Sequence, residues 1–260
     1  MLRSLWIAKT GMEAQQTKLD AISHNLANTG TNGYKRAGVA FEDLMYQNLR
    51  SAGAASSEQS QLPTGLQVGL GVRTAATTRN FSQGTLQNTG NNLDIAVKGD
   101  GFFQITLPDG STGYTRDGGF QVDAGGQIVT NAGYVLQPGI TVPANATALT
   151  IAPNGTVSAT VAGQTTPQAL GQIQLASFIN PAGLDPKGGN LYGETAASGT
   201  PNAAAPGTGG HGQLLQGFVE GSNVNVVEEL VSMIATQRAY ELNSKAIQTS
   251  DQMLAKLGQL

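Results

Sequence analysis

Three aspartates in the middle of the chain come nearest to a catalytic arrangement. Asp109, Asp117 and Asp123 lie close together in the sequence, and a pair of carboxyl groups can act as acid and base in glycoside hydrolysis. Two of them stand in Asp-Gly dipeptides and the third stands just before Gly125-Gly126. Aspartate is favoured there because its side chain hydrogen-bonds the backbone of a turn. We therefore interpret all three as turn residues and not as catalytic acids.

Two other patterns resemble binding motifs by letter only. The segment GTGGHG, residues 207–212, matches G-x-G-x-x-G, but a dinucleotide site needs a strand before the motif and a helix directly after it. Here AAAP precedes the segment and QLLQGFVE follows it. The two histidines, His24 and His211, do not have the spacing of metal ligands. The sequence predicts no catalytic residue, no cofactor and no metal site.

Composition argues against several further classes of protein. The 260 residues include no cysteine, which excludes disulfides and thiol nucleophiles and is compatible with export. The net charge of −3 comes without a cluster of Lys and Arg, so nucleic acid is not an expected partner. No run approaches the roughly 20 apolar residues of a membrane span. The N-terminal MLRSLWIAKT has no secretory signal pattern, so if the protein leaves the cytoplasm, another export route is expected.

Apolar residues recur every seven positions near both ends of the chain. This spacing predicts two long helices, each with a narrow apolar seam of the coiled-coil kind. Asn225, followed by Glu228 and Glu229, is the predicted N-cap of the second helix. Two ordinary amphipathic helices packed on a core are the alternative. The seam residues are Leu5, Met12, Leu19, Ile22 and Leu26 in the first helix, and Val226, Leu230, Met233, Tyr240, Ile247 and Leu254 in the second.

Between the helices the periodicity changes to two. Residues 93–97, 157–161 and 173–175 alternate apolar and polar side chains, and turn dipeptides with glycine punctuate the region. Short strands at this spacing predict an antiparallel sandwich or barrel. Residues 51–65 and 196–212 are predicted to be linkers or extended loops. The expected fold is α+β, with two long terminal helices that pair as a coiled-coil-like domain and an all-β antiparallel domain inserted between them.

A polar break ends the first helical pattern, where residues 25–36 read NLANTGTNGYKR. Glycine takes a positive φ at little cost, and asparagine tolerates it better than most residues. We predict a sharp corner here, with a plain loop as the alternative. Past the corner, Lys35 and Arg36 are expected to be free to meet carboxylates or helix-terminal carbonyls of a neighbouring molecule. The predicted corner residues are Asn28, Gly30, Asn32 and Gly33.

Three segments resemble the bacterial flagellar rod and hook proteins, in the order in which that family has them. They are ISHNLANTGTNGYKR at residues 22–36, the stretch from NNLDIAVKGDGFFQI to NAGYVLQ at residues 91–137, and GFVEGSNVNVVEELVSMIATQRAYELNSKAIQTSDQML at residues 217–254. The resemblance implies a structural subunit of a tubular, helical polymer. The terminal helices would form the inner tube through the seam residues, and the β domain would lie outside.

The resemblance also implies a location, partners and a division of the chain. The protein would be a subunit of the distal rod in the basal body, crossing the periplasm and passing motor torque to the hook. It would be exported unfolded by the flagellar type III apparatus. Its partners would be copies of itself, proximal rod proteins, the hook protein, and periplasmic and outer-membrane ring proteins. The expected division is 1–30 and 222–260 for the tube, 31–80 and 194–221 for a connecting region, and 81–193 for the outer domain.

Several alternatives remain open at this point. Within the family, a proximal rod or hook-type protein is the nearest one. Outside it, the chain could be a secreted β-rich binding module, such as an adhesin or a phage-tail component, or a wall-cleaving enzyme. The heptad seams at both termini favour a polymer over a binding module. The turn positions of the aspartates disfavour an enzyme.

Overall fold

The computed structural model describes residues 2–51, 55–57, 60–61, 63–163 and 166–258. One long helix near each end and many antiparallel strands between them confirm the predicted α+β class. The chain divides into two compact units: unit 1 comprises Met1–Leu26, Ala37–Thr78 and Asn225–Leu260, and unit 2 comprises Ala27–Arg36 and Arg79–Val224. The expected tube, connecting and outer regions stay predictions, because compactness within one subunit does not locate residues in a polymer.

Unit 1 contains the two long helices. The first, α1, spans Leu2–Ala27, and the second, α2, spans Val226–Leu257. The predicted start of α2 is confirmed, because Asn225 Oδ1 accepts hydrogen bonds from the main-chain N–H of Val227 (3.1 Å) and Glu228 (3.5 Å). These bonds satisfy donors that the first turn of a helix leaves unpaired.

The rest of unit 1 consists of two-stranded ribbons. Strand β1 (Ala37–Asp43) pairs with β6 (Val72–Arg79), β2 (Tyr46–Arg50) with β5 (Leu66–Gly69), and β3 (Ala55–Ser57) with β4 (Ser60–Gln61). The β2–β5 ribbon exposes apolar side chains, among them Tyr46, Leu49 and Leu66. Part of the predicted 51–65 loop thus forms a short ladder, and residues 52–54, 58–59 and 62 of it lie outside the described residues.

Unit 2 holds the main antiparallel sheet, built around β9 (Phe102–Thr106). The sheet runs β11-β12-β13-β9-β10-β19-β18, with β17 also paired to β9 and β20 to β17. Its other strands are β10 (Thr112–Thr115), β11 (Phe120–Val122), β12 (Ile128–Thr130), β13 (Val135–Leu136), β17 (Leu175–Ser177), β18 (Asp185–Gly188), β19 (Leu191–Gly193) and β20 (Asn202–Ala204). A short 3₁₀ helix, Pro181–Gly183, follows β17.

Smaller sheets complete unit 2. They are the three-stranded sheet β14 (Ala146–Ile151), β15 (Thr156–Val161) and β16 (Gln168–Gln172), and the ribbons of β8 (Ile95–Lys98) with β21 (Gln213–Gln216) and of β7 (Leu86–Asn88) with β22 (Phe218–Glu220). Apolar side chains of β8, β14, β15 and β21 join those of the main sheet in a core around Phe103, whose ring meets Phe120 edge-on at 5.1 Å. A second cluster consists of Phe102, Tyr114, Ala176, Phe178, Leu184 and Tyr192. Strand β15 alternates buried and half-buried residues as predicted, whereas β8 is buried at three successive positions.

The prediction that residues 196–212 form a linker or an extended loop is confirmed in part: most of the segment is loop and turn, but it is packed and is not a flexible linker. The segment contains β20, and Ser198 and His211 are buried within it. Both ring nitrogens of His211 lie 2.9 Å from carbonyl oxygens, those of Thr208 and Asn202. The small residues and glycines that suggested flexibility instead permit tight, packed turns.

Candidate assembly site

The aspartates that could have formed an acid pair each support a turn, as predicted. Asp109 Oδ1 accepts from the Ser111 hydroxyl at 2.6 Å, and this bond lowers the pKa of Asp109. Asp123 Oδ1 accepts from the Gln127 N–H at 2.8 Å. Asp117 Oδ1 accepts from the Gly119 N–H at 3.1 Å, although burial raises the pKa of Asp117.

The described residues offer no metal site either. Within the described ranges no group of three or more His, Asp or Glu side chains comes together in a way that could hold an ion. Neither helix, over its described length, is apolar and long enough to span a bilayer. Exposed apolar side chains concentrate on the terminal helices of unit 1, and this surface is the candidate functional site.

The predicted seam residues of α1 are partly covered within the subunit. Ile22 is buried, together with Ala8 and Ala14 on the same helix. Leu5, Met12, Leu19 and Leu26 are half-buried. The part that these side chains play in assembly stays a prediction, since a single subunit shows only the contacts it makes with itself.

The predicted seam of α2 divides into covered and uncovered residues. Met233, Ile247 and Leu254 are half-buried, whereas Val226, Leu230 and Tyr240 are exposed. A different column of α2 is more buried than the predicted one. It consists of Glu229, Thr236, Asn243 and Ser250, which are again seven residues apart; the first two are almost completely buried and the last two half-buried.

The contacts between α1 and α2 pass through this polar column. Asn25 Nδ2 lies 3.4 Å from Glu229 Oε2, and the Ser4 and Ser250 hydroxyl oxygens are 3.5 Å apart. Between them, a side chain at Gly11 would place its Cβ 3.0 Å from Asn243 Nδ2. A bulkier residue at Gly11 would disturb this close approach of the two helices.

The Asn25 side chain also makes hydrogen bonds across the polar break at the end of α1. Its carboxamide donates to the Ala37 carbonyl oxygen and accepts from the Ala37 N–H, each at 2.9 Å. The carboxamide is almost completely buried, so these bonds satisfy groups that water does not reach. The side chain thereby joins the last turn of α1 to the first residue of β1.

Of the four predicted corner residues, Gly33 has a positive φ, at 68°. Gly30, Asn28 and Asn32 do not, and a Cβ at Gly30 would meet open space. A Cβ at Gly33 would lie 2.6 Å from the main-chain nitrogen of Asp117. Gly33 is therefore required both for its backbone conformation and for the close approach of the chain.

The prediction that Lys35 is free for a neighbouring molecule is wrong. Lys35 is fully buried, and its ammonium donates to Glu220 Oε1 at 2.7 Å and to the Ser82 carbonyl oxygen at 2.7 Å. Arg116 Nη1 lies 3.3 Å from the other carboxylate oxygen, Glu220 Oε2. The carboxylate also accepts from the Gly84 N–H at 2.8 Å. One buried anion thus bridges two buried cations in unit 2.

Burial dominates the electrostatics of this ion network. It lowers the pKa of Lys35 below its ordinary value, although the Glu220 carboxylate acts in the opposite direction. Burial likewise lowers the pKa of Arg116, again against the attraction of Glu220. The cost of desolvating the two cations therefore outweighs their attraction to the Glu220 carboxylate.

Sequence reasoning missed three residues of these contacts: Asn25, Glu220 and Glu229. Asn25 and Glu229 stand within segments that the helical pattern singled out, and the column of polar residues at seven-residue spacing on α2 was a readable signal for Glu229. No local signal marks Glu220, since its partner Lys35 lies 185 residues away in the chain.

Comparison with known proteins identifies the class to which this architecture belongs. Three family models match: the flagella basal body rod protein model over residues 5–35, the D1 domain model of flagellar hook protein FlgE/F/G over residues 96–159, and the C-terminal model of flagellar basal body rod FlgEFG proteins over residues 215–260. All three describe proteins of the flagellar rod and hook, which confirms the resemblance found in the sequence.

Comparison with individual proteins shows which members of this class resemble the chain over its full length. The chain is similar to the flagellar basal-body rod protein FlgG of Buchnera aphidicola subsp. Acyrthosiphon pisum, with 56% identity over all of both chains. It is 49% identical to FlgG of Caulobacter vibrioides, over 100% of this chain and 99% of that protein. Similarity to the hook protein FlgE of Helicobacter mustelae, at 45% identity, covers 53% of this chain and 30% of that protein. The chain belongs to the flagellar basal-body rod protein family.

Proposed function

We propose that the protein is a structural subunit of the distal rod, a helical tubular polymer that transmits motor torque to the hook. The observation that carries this proposal is the full-length identity with basal-body rod proteins. The hook-type alternative is disfavoured because similarity to a hook protein covers 30% of that longer chain. The wall-cleaving alternative is disfavoured because the three aspartates serve turns.

In the proposed polymer the terminal helices pair in a coiled-coil-like manner and form the inner tube. Their exposed apolar side chains support this, since an isolated soluble subunit gains nothing from leaving them in water. Residues 1–30 and 222–260 supply the tube, and residues 81–193 the outer domain. The proposed tube contacts come from Leu5, Met12, Leu19, Ile22 and Leu26 in α1, and from Val226, Leu230, Met233, Tyr240, Ile247 and Leu254 in α2.

The proposed partners follow from this place in the basal body. Copies of the chain contact one another along the rod, proximal rod proteins and the hook protein contact its ends, and periplasmic and outer-membrane ring proteins surround it. The subunit reaches the periplasm through the flagellar type III apparatus as an unfolded chain.

Genetic complementation tests this proposal. The chain is expressed in a flagellated bacterium that lacks its own distal rod protein, and basal bodies are isolated and imaged. We expect rods that carry hooks. Exported, folded protein without any rod would contradict the proposal. The double variant Asp109→Asn, Asp117→Asn distinguishes a structural subunit from a wall-cleaving enzyme. If the protein is structural, the variant still forms rods. If rod formation depends on wall cleavage by these two acids, the variant forms none.

A further inference from the structure

A cavity of about 360 Å³ opens in unit 2 where three connecting segments meet. Its walls are the segment after β10, the turn between β12 and β13, and the turn between β18 and β19. Its volume lies within the range of small-molecule sites, roughly 300–1,000 Å³. The side chains at its walls include those of Asp117, Asn131, Tyr134 and Lys187. A ligand would therefore meet an aromatic ring, hydrogen-bond donors and hydrogen-bond acceptors in one place.

Three polar groups at this cavity keep hydrogen-bonding capacity that contacts within the subunit do not use. Asp117 Oδ1 accepts from the Gly119 N–H, and among the described residues no donor reaches Asp117 Oδ2. Asn131 Oδ1 accepts from Gln121 Nε2 at 2.9 Å, and within the same ranges the NH₂ group of that carboxamide stays unpaired. The Tyr134 hydroxyl has no partner there either. Neither this hydroxyl nor Asp117 Oδ2 is sealed from solvent, so a ligand can reach both.

The charges at the cavity favour a ligand without net charge. The Asp117 carboxylate disfavours anions, and the Lys187 ammonium, which also acts electrostatically on Asp109, disfavours cations. A hydroxyl group both donates and accepts, so neighbouring hydroxyls match the acceptor of Asp117 and the donor of Asn131. The Tyr134 ring offers an apolar face beside them. A sugar ring has this combination, with hydroxyl groups at its edge and C–H groups on its face.

One wall of the cavity is held in place by the surrounding structure. Gly188, Gly189 and Asn190, in the turn between β18 and β19, have successive positive φ values of 87°, 59° and 61°. Such a conformation is unfavourable for a residue other than glycine and persists only where neighbouring contacts fix it. Here Asn190 Nδ2 donates to the Asn32 carbonyl oxygen, and the Asn190 carbonyl accepts from the Thr115 hydroxyl, each at 2.9 Å. A wall that is already ordered reduces the entropy lost when a ligand binds.

We propose that this cavity binds one uncharged sugar unit, either a free monosaccharide or a unit of a glycan chain. Asp117 Oδ2 accepts a hydrogen bond from a sugar hydroxyl, Asn131 Nδ2 donates to a second sugar oxygen, and the Tyr134 ring packs against the sugar face. This binding goes beyond the proposed rod function and does not depend on assembly, because all the groups that carry it belong to unit 2 of a single subunit.

Sugar titrations of the full-length protein test the site. Isotope-labelled protein, kept dilute and monomeric, is titrated with glucose, N-acetylglucosamine and chitotriose, and its amide signals are followed by NMR. We expect saturating shifts, confined to residues 115–119, 130–134 and 187–191, at millimolar concentrations of at least one sugar. Binding of chitotriose would assign a unit of a glycan chain, and binding of a monosaccharide alone would assign a free sugar. The absence of saturating shifts with all three sugars would overturn the proposal.

Two asparagine variants locate the binding. Asn131→Ala removes the carboxamide donor from an exposed position, whereas Asn92→Ala changes an exposed asparagine of the same unit that does not line the cavity. We expect the dissociation constant of the sugar to rise about three-fold to ten-fold in Asn131→Ala protein and to stay unchanged in Asn92→Ala protein. Equal affinity of Asn131→Ala and natural protein would contradict the assigned site.

Trialanine, titrated in parallel, separates a sugar site from a peptide site. Saturating shifts of the same amides with trialanine and none with the sugars would overturn the sugar class. The rod function would stand in that case, since it is tested by the formation of rods and not by the binding of a ligand to the monomer.

Discussion

The Asn25 carboxamide makes two hydrogen bonds with the main chain of Ala37, each 2.9 Å long. One side chain thus gives Ala37 the pair of bonds that a neighbouring strand gives in an antiparallel sheet. The same Nδ2 approaches Glu229 Oε2 at the start of α2. The end of α1 is therefore a structural junction in which Asn25 joins the helix, the first strand and the second helix.

Replacing Asn25 by leucine tests this junction. Leucine has nearly the same size but leaves the Ala37 N–H and carbonyl without these partners, at a cost of about 1–3 kcal/mol for each buried group. We expect the polymer of Asn25→Leu protein to dissociate at a lower denaturant concentration than the natural polymer. Asn28→Leu is the matched control, since Asn28 Oδ1 accepts from Thr31 within the turn. Equal midpoints for the two variants would contradict the role of Asn25.

Glu220 is expected to be the most sensitive residue of the buried ion network. Glu220→Gln keeps the shape of the side chain but leaves the Lys35 and Arg116 cations without their counterion. Removing one partner of a buried ion pair typically lowers the free energy of unfolding by about 3–5 kcal/mol. Lys35→Met is expected to cost less, because Glu220 keeps its contact with Arg116. Chemical denaturation followed by circular dichroism measures both, and the opposite ranking would argue against this account.

The ion network also predicts how stability depends on pH. The pKa of Lys35 is lowered by burial from its ordinary value of 10.5, so between the two values the unfolded chain binds more protons than the folded one. Within that window the Lys35 contribution to the free energy of unfolding rises with pH, by at most about 1.4 kcal/mol per pH unit. This contribution is measured from unfolding curves of natural and Lys35→Met protein at a series of pH values. The difference in stability, natural minus variant, should increase towards pH 10.5; a constant or falling difference contradicts the lowered pKa.

Gly33 and Gly30 form a matched pair in the same polar run. Gly33→Ala places a Cβ 2.6 Å from the Asp117 nitrogen on a backbone with φ of 68°, and the strained backbone alone costs about 1–3 kcal/mol. Gly30→Ala meets open space without a positive φ, so it should change the free energy of unfolding by less than about 1 kcal/mol. The two free energies of unfolding are compared by denaturant titration. Similar values would show that the turn can rearrange around residue 33.

Some of this architecture could be predicted because the signals are local. The seven-residue spacing and the Asn225 cap predicted the positions of both helices. Asp-Gly and Asn-Gly pairs predicted turns, and Gly110 and Gly155 in such pairs adopt positive φ. For residues 196–212 the sequence left a linker and an extended loop open, because glycine and alanine are equally common in flexible linkers and in tight packed turns.

The Lys35 network could not be predicted from local pattern. Lysine in a polar run is almost always solvated. The burial of Lys35 depends on Glu220, which lies 185 residues away in the chain. The sequence also did not show which face of α2 packs within the subunit. Hydrophobic periodicity does not distinguish a face that packs within the subunit from one that is left for a neighbour, so the polar column through Glu229 and Thr236 was not assigned to the intrachain contact.

The central claim is that this chain builds a straight helical tube from its own copies. Purified protein is concentrated, seeded with rod fragments and imaged by negative-stain electron microscopy, with unseeded dilute protein as the control. The account predicts straight tubes that grow from the seeds in natural protein. It also predicts no growth in a Leu230→Glu variant whose circular dichroism matches that of the natural monomer, because Leu230 is an exposed apolar residue among the proposed tube contacts. Natural protein that remains monomeric on the seeds would contradict the central claim. Leu230→Glu tubes that grow equally well would contradict only the part proposed for Leu230.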